Sequence, residues 1–185
     1  MHESKIRKDF EHFIKALKIA GGRMIDPHYF KLPVAEGEPV FRERVYCYEL
    51  YHQLRCVLGD HYPYKLDGEV DKAGHPKFDR SYKPDFIIHV PGDFNRNLVI
   101  MEVKSIKSIK DDDVKNLKED IRKIKYFVNR GHYHYSVVLI YGDGTQEKLS
   151  EHIINRARRF IGNYRDRIYL IWHKGPGEEP KVIKL

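Results

Sequence analysis

The apolar residues of this chain repeat with two different periods, and each change of period marks a new element. Over residues 3–20 the apolar positions are Ile6, Phe10, Phe13, Leu17 and Ala20, the spacing of one face of a helix. Gly21-Gly22 is expected to stop that helix. The segment DPHYFKLPVAEGEP that follows is rich in proline and glycine. It reads as a long loop, either a functional lid or packed irregular chain. Pro39 then suits the first turn of a second helix over about 40–58, ended by Gly59.

Short extended stretches come next. Residues 64–70 (YKLDGEV) are a weak strand, 85–90 (DFIIHV) a better one, and 98–104 (LVIMEVK) the strongest of the chain. PGDFNRN reads as the turn between the last two, so the three strands predict an antiparallel meander. Residues 112–130 return to helical spacing, with Val114, Leu117, Ile121, Ile124 and Val128 as the inward stripe. Asp111, Asp112 and Asp113 stand at its positive end and Gly131 after its last turn. A strand is expected over 134–141. Thr145 is expected to cap a helix running to about Phe160, with Leu149, Ile153, Ala157 and Phe160 inward and Gly162 as the stop. Residues 167–173 (RIYLIWH) make a last strand, GPGEEP a turn, and KVIKL an edge strand or tail.

From residue 40 the order is α-β-β-β-α-β-α-β. That predicts an α/β fold, one mixed sheet flanked by helices. The 112–130 helix is long enough for a crossover that makes the third and fourth strands parallel. A single domain is expected: an N-terminal helix and loop (1–38), a core (39–141) and a C-terminal helix and strand (142–185).

Composition narrows the class. Of 185 residues, 41% are hydrophobic and 12% aromatic, with 13 Tyr, which suits a folded core rather than a disordered chain. The N-terminal MHESKIRKDFEHF lacks the apolar stretch of a signal peptide. No run approaches the ~18 apolar residues of a membrane span. The expectation is a cytoplasmic protein with no membrane partner. Cys47 and Cys56 fall nine residues apart on one predicted helix, about 13 Å along its axis. A disulfide needs Cα atoms within about 7 Å, and two cysteines alone make no zinc site. Both are expected reduced. The formal charge of +7 and pI of about 9.2 attract polyanions, although ordinary solubility charge explains them equally well. Arg156, Arg158, Arg159, Arg165 and Arg167 gather late in the chain and tilt the balance toward nucleic acid.

The chemistry is concentrated in two strands. Pro84-Asp85 opens one, and Glu102-Val103-Lys104 closes the next. Alternation puts Glu102 and Lys104 on one face and Val103 on the other. The turn between the strands can set Asp85 opposite that end. Two carboxylates and an ammonium then converge, and phosphodiester hydrolysis wants such a set. Carboxylates hold a hard cation such as Mg²⁺ (or Mn²⁺), which activates water and offsets phosphate charge. The lysine orients the water or stabilises the developing charge. The Val103 carbonyl is a further candidate ligand. An E-V-K triplet alone also fits a solvated strand end. Here the strand before it, Leu98 to Met101, is wholly apolar, and charge in a buried central strand is costly without a purpose.

The segments YKPDFIIHV and NLVIMEVKS resemble the signature of the PD-(D/E)xK nucleases, a superfamily of restriction endonucleases, junction resolvases and repair nucleases. The resemblance covers about 100 residues in topology and only a few in motif. It implies a restriction-endonuclease-like αβββαβ core over 40–141, Asp85 and Glu102 as metal ligands, and Lys104 as the catalytic lysine. Many members add a glutamate from the first core helix. Glu49, in VYCYELYHQLR at the margin of the buried face, is the candidate for both roles. Some exonuclease branches carry a Gln and a Tyr on the helix after the motif, but DDVKNLKEDIRKIKYF has no such Gln. Lys118, Asp120 and Lys123 occupy its polar side. Lys118 and Lys123, with Arg156 and Arg159, are the candidate phosphate contacts, although for the two lysines a solvated face is the leading reading.

Other features weigh less. His132 and His134 share a strand face by spacing and read as a surface pattern. Asp67, Glu69 and Asp71 alternate on the first strand, which reads as an exposed edge or as a wall of the same cleft. Gly142-Asp143-Gly144 is a turn rather than a phosphate loop. The expectation is a magnesium-dependent DNA endonuclease of a defence or mobile-element type. Its partner is nucleic acid, and a homodimer is compatible with it. The alternatives are a catalytically silent nuclease-like binding or scaffolding module, and an enzyme on another substrate.

Overall fold

The computed structural model describes residues 2–70, 82–142 and 147–185. In chain order its elements are α1 (His2–Gly22), a 3₁₀ turn (Pro27–Tyr29), α2 (Glu43–Leu58), β1 (Lys65–Gly68), β2 (Phe86–Val90) and β3 (Asp93–Ser105). There follow α3 (Ile106–Asp111), α4 (Lys115–Arg130), β4 (Tyr135–Tyr141), α5 (Glu151–Ile161), a second 3₁₀ turn (Gly162–Tyr164), β5 (Ile168–His173) and β6 (Lys181–Ile183).

The six strands form one mixed sheet in chain order. β1, β2 and β3 are an antiparallel meander. β4 and β5 run parallel to β3 and to each other, and β6 returns antiparallel. The meander and the parallel crossover are as the hydrophobic pattern predicts. Helices cover both faces. On one, Phe10, Phe13 and Leu17 of α1 and Tyr46, Leu50 and Leu54 of α2 pack with Met101, Val103 and Leu139. On the other, Leu117, Ile121 and Ile124 of α4 and Ile153 and Ala157 of α5 pack with Val138, Ile140 and Leu170. The inward stripes of α1 and α4 are the predicted ones, and every member is buried.

Several boundaries differ. Gly21 and Gly22 lie inside α1 instead of stopping it. A Cβ on Gly21 would stand 2.4 Å from the Pro180 ring, so the C-terminal segment packs where a side chain would be. Pro39 does not open α2. Val40 instead bridges Leu32, closing the loop, and the helix starts at Glu43. The turn between β2 and β3 is only Pro91-Gly92, and β3 already begins at Asp93. The predicted 112–130 helix starts three residues later, and a short helix that the pattern does not predict, α3, precedes it. Ser105 caps α3 by accepting from the Ser108 N–H at 3.1 Å. Asp113 and Val114 then take positive φ, and α4 begins at Lys115. α5 starts after Ser150 rather than at Thr145. Asp71 and the 143–145 portion of the Gly-Asp-Gly-Thr turn lie outside the described residues.

Candidate active site

β3 changes character along its length. Leu98 to Met101 are fully buried between the two helical layers. At the far end Glu102 and Lys104 point to the α4 face while Val103 packs under α1 and α2. Phe86 pairs with Met101 in the β2–β3 register, which brings Asp85, one residue before the strand, level with Glu102. The Asp85 Oδ2 accepts the Val103 N–H at 2.7 Å. The Val103 carbonyl projects to the same strand edge as that N–H. Asp85, Glu102, Val103 and Lys104 thus meet as the spacing predicts.

Three further residues join them. Glu43, the first residue of α2, accepts from Lys104 Nζ at 3.2 Å and from the Ser105 N–H at 3.1 Å. Asp120 and Lys123 descend from α4. Lys123 Nζ donates to Glu102 Oε2 at 2.6 Å and lies 3.6 Å from Asp120. Lys104 Nζ is 3.7 Å from Asp120 Oδ2. The cluster holds Glu43, Asp85, Glu102 and Asp120 against Lys104 and Lys123, four carboxylates and two ammoniums. Its formal charge with all groups ionised is −2.

Desolvation sets its electrostatics. Burial, with the Asp85 carboxylate, pushes Glu102 well above the ordinary carboxylate range, and Lys123 opposes the push. Burial likewise raises Asp85, against the Val103 N–H and the two lysines. Asp120 is pushed up to about 6 by burial, against Lys104 and Lys123. For both lysines burial acts to discharge the ammonium, but the surrounding carboxylates outweigh it and raise them. Glu102 Oε1 and Asp120 Oδ2 are buried with no hydrogen-bond partner among the described residues. A buried carboxylate oxygen without a donor is expensive, so the cluster is short of positive charge. Yet no three His, Cys, Asp or Glu side chains among the described residues are grouped to hold a metal ion as they stand.

Compared with known proteins, the chain matches no family model, no curated protein and no solved structure. The site is therefore read from its own chemistry.

Beside the cluster a cleft of about 720 Å³ opens between α2 and the β1–β2 edge, lined among others by Glu43, Arg44, Tyr48, Tyr51, Asp67, Glu69 and Asp85. Asp67 and Glu69 thus line the cleft that holds Asp85, the reading given less weight from sequence. Asp67 pairs with His89 at 2.7 Å and Glu69 with Arg44 at 3.0 Å.

The other candidates fall elsewhere. Glu49 is not the helix glutamate of the cluster. It accepts from Gln53 at 2.7 Å and acts on Tyr29, about 120° around α2 and about 9 Å along it from Glu43. Lys123 does not lie on a solvated face, since it pairs with Glu102. Lys118 is exposed, its ammonium 5.8 Å from the Phe160 ring centre. Arg156 is half-buried and Arg159 exposed on α5, and no described contact brings them into the cluster. Arg167 donates to the Tyr133 and His134 carbonyls at 2.6 and 3.1 Å, a structural task. His132 precedes β4 in a left-handed conformation, so it shares no strand face with His134. Cys47 and Cys56 are both free. No described helix is long and apolar enough to cross a membrane.

Sequence reasoning missed Glu43, and it misjudged where Asp120 and Lys123 face. A glutamate in the first turn of a helix ordinarily complements the helix dipole, so nothing set Glu43 apart. For α4 a signal existed: Asp120 and Lys123 are three residues apart on the flank of the apolar stripe, where a packed sheet end is as available as solvent.

Proposed function

We infer that this chain is a metal-dependent nuclease, a hydrolase of phosphodiester bonds in nucleic acid, with DNA as the first substrate and endonucleolytic cleavage as the mode. The observation that carries the reading is the meeting of Asp85, Glu102 and Lys104 at one end of β3, with Asp85 fixed on the Val103 N–H. The order α2-β1-β2-β3-α3-α4-β4 is compatible, with the six-residue α3 as an addition, with the αβββαβ core of the PD-(D/E)xK nucleases, which the two motif segments resemble.

The donor set fits a divalent cation. Hard carboxylate oxygens suit Mg²⁺ or Mn²⁺, the cluster's formal −2 matches one such ion, and Glu102 Oε1 lacks a donor. Asp85, Glu102 and the Val103 carbonyl would hold it, with Glu43 beside them in place of Glu49. When bound, the ion supplies an activated water and offsets phosphate charge. The rest falls to the chain's own residues. Lys104, held by Glu43 and Asp120, keeps an ammonium at the strand end where charge develops on the phosphate. Asp85 keeps its orientation through the Val103 N–H. The cleft beside the cluster admits a nucleotide-sized group.

A second reading, a nuclease-like nucleic-acid-binding module without cleavage, draws on one observation: the Lys123 ammonium already neutralises Glu102 at 2.6 Å. Incubation with supercoiled plasmid, linear duplex, single-stranded DNA and RNA in Mg²⁺, Mn²⁺ or EDTA separates the two. Metal-dependent cleavage of any of them supports the enzyme. Binding without cleavage in either metal supports the module.

A further inference from the structure

The two lysines of the cluster have divided its carboxylates between them. Lys104 is engaged by Glu43 at 3.2 Å and by Asp120 at 3.7 Å. Lys123 reaches past Asp120 to Glu102 Oε2 at 2.6 Å. Glu102 is 1% exposed, and its other oxygen has no hydrogen-bond partner among the described residues. A carboxylate so buried is tolerable only beside a positive charge. In the metal-free protein Lys123 is that charge. An ammonium offers donors and no lone pair, so it neutralises Glu102 without completing a metal site. A divalent ion on Glu102 would share the carboxylate with a second positive charge, in a place where burial strengthens repulsion.

We propose that Lys123 is a built-in counter-ion that holds Glu102 in the metal-free protein and must release it when the divalent cation binds. Its side chain is 22% exposed, so it is not sealed in as Glu102 is. The released ammonium stands beside the loaded site, available to a substrate phosphate. This arrangement ties metal affinity to substrate: a phosphate that takes up Lys123 frees Glu102 for the ion. The proposal rests on the metal reading above and adds a role for a residue outside the Asp85, Glu102, Lys104 set.

Calorimetric titration of the full chain with Mn²⁺ at pH 8 tests it in wild type, Lys123→Met and Lys123→Arg. Met keeps an unbranched stem and removes the charge, and Arg keeps the charge. The expected result is Mn²⁺ binding on the order of tenfold tighter in Lys123→Met, with Lys123→Arg near wild type. Should Lys123→Met fail to fold by circular dichroism, Lys123→Gln, whose amide still donates to Glu102, is read in its place with the same expectation. Wild-type binding with equal or weaker affinity in the neutral variant overturns the counter-ion role and leaves the metal reading standing. No Mn²⁺ binding by wild type or by the neutral variant overturns both.

Discussion

Two buried polar clusters sit toward the same end of the sheet, and they treat desolvation in opposite ways. At the ends of β4 and β5, Tyr46 from α2 and His173 share a 2.7 Å hydrogen bond, and Tyr46 stacks on Tyr141 at 4.0 Å between ring centres. Burial lifts both tyrosines far above their usual range and lowers His173 to about 4. Every group there is neutral at pH 7, which is the cheap way to bury a titratable side chain. At the end of β3, burial pushes Asp85, Glu102 and Asp120 toward neutrality as well, but two lysines keep charge in the cluster. The first arrangement also has polar atoms without a hydrogen-bond partner among the described residues, the Tyr141 hydroxyl and His173 Nε2, but it carries no charge. The second has carboxylate oxygens without donors and a formal deficit of positive charge.

The largest effect expected from this contrast is on catalysis. Asp85→Ala and Glu102→Ala should each reduce cleavage to background, about a thousandfold or more, with the fold intact by circular dichroism. Tyr46→Phe, in the neutral cluster, should leave cleavage unchanged and cost on the order of 1 kcal/mol of stability in urea. Turnover retained in purified Asp85→Ala would break the contrast.

Lys104→Ala should lose on the order of a hundredfold in cleavage yet keep Mn²⁺ binding, because the ammonium is not a ligand. Asp85→Ala should lose both. Paired calorimetry and cleavage assays make the comparison, and wild-type cutting by Lys104→Ala would reduce E-V-K to an ordinary strand end.

The pH dependence of stability should have opposite signs in the two clusters. His173 is lowered from 6.5 to about 4, so the unfolded chain takes up its proton first. Stability is intact above 6.5 and falls as pH drops from there to about 4, by on the order of 3 kcal/mol. Asp120 is raised from 3.8 to about 6. Its contribution is fully present below 3.8 and is lost as pH rises through 6. Urea midpoints between pH 4.5 and 7.5 should therefore fall less on acidification in His173→Gln than in wild type. In Asp120→Asn they should fall more. Equal slopes in all three proteins would contradict these assignments.

The smaller effects concern the helix glutamates and the outer arginines. Glu43→Gln should impair cleavage and Glu49→Gln should not, measured on one plasmid substrate. Arg156→Ala with Arg159→Ala should weaken DNA binding and flatten its salt dependence by up to about two ions. An unchanged slope in a salt titration would place the nucleic acid elsewhere.

What the sequence disclosed follows from which residues make their case locally. The apolar run Leu98–Met101 ahead of Glu102 and Lys104 marked β3 as buried and its end as charged. Pro84-Asp85 before DFIIHV located the partner strand, because a short turn leaves little choice of register. The stripes of α1 and α4 were legible because packing repeats every turn. Glu43 was not, since its role depends on where the first turn of α2 meets β3, a contact between residues 61 apart in the chain. Asp120 and Lys123 were read as solvated because a helical wheel separates apolar from polar and not solvent from a neighbouring carboxylate. α3, at six residues, is shorter than any window in which a period shows.

The central claim is that the Asp85, Glu102, Lys104 end of β3 hydrolyses phosphodiester bonds with a divalent cation. The direct test is one time course on supercoiled plasmid with wild type and Asp85→Asn, prepared identically, in Mn²⁺ and again in EDTA. The account predicts nicked or linear product from wild type in Mn²⁺ alone, and none from Asp85→Asn in either condition. Equal cleavage by the two proteins, or cleavage that persists in EDTA, would contradict it.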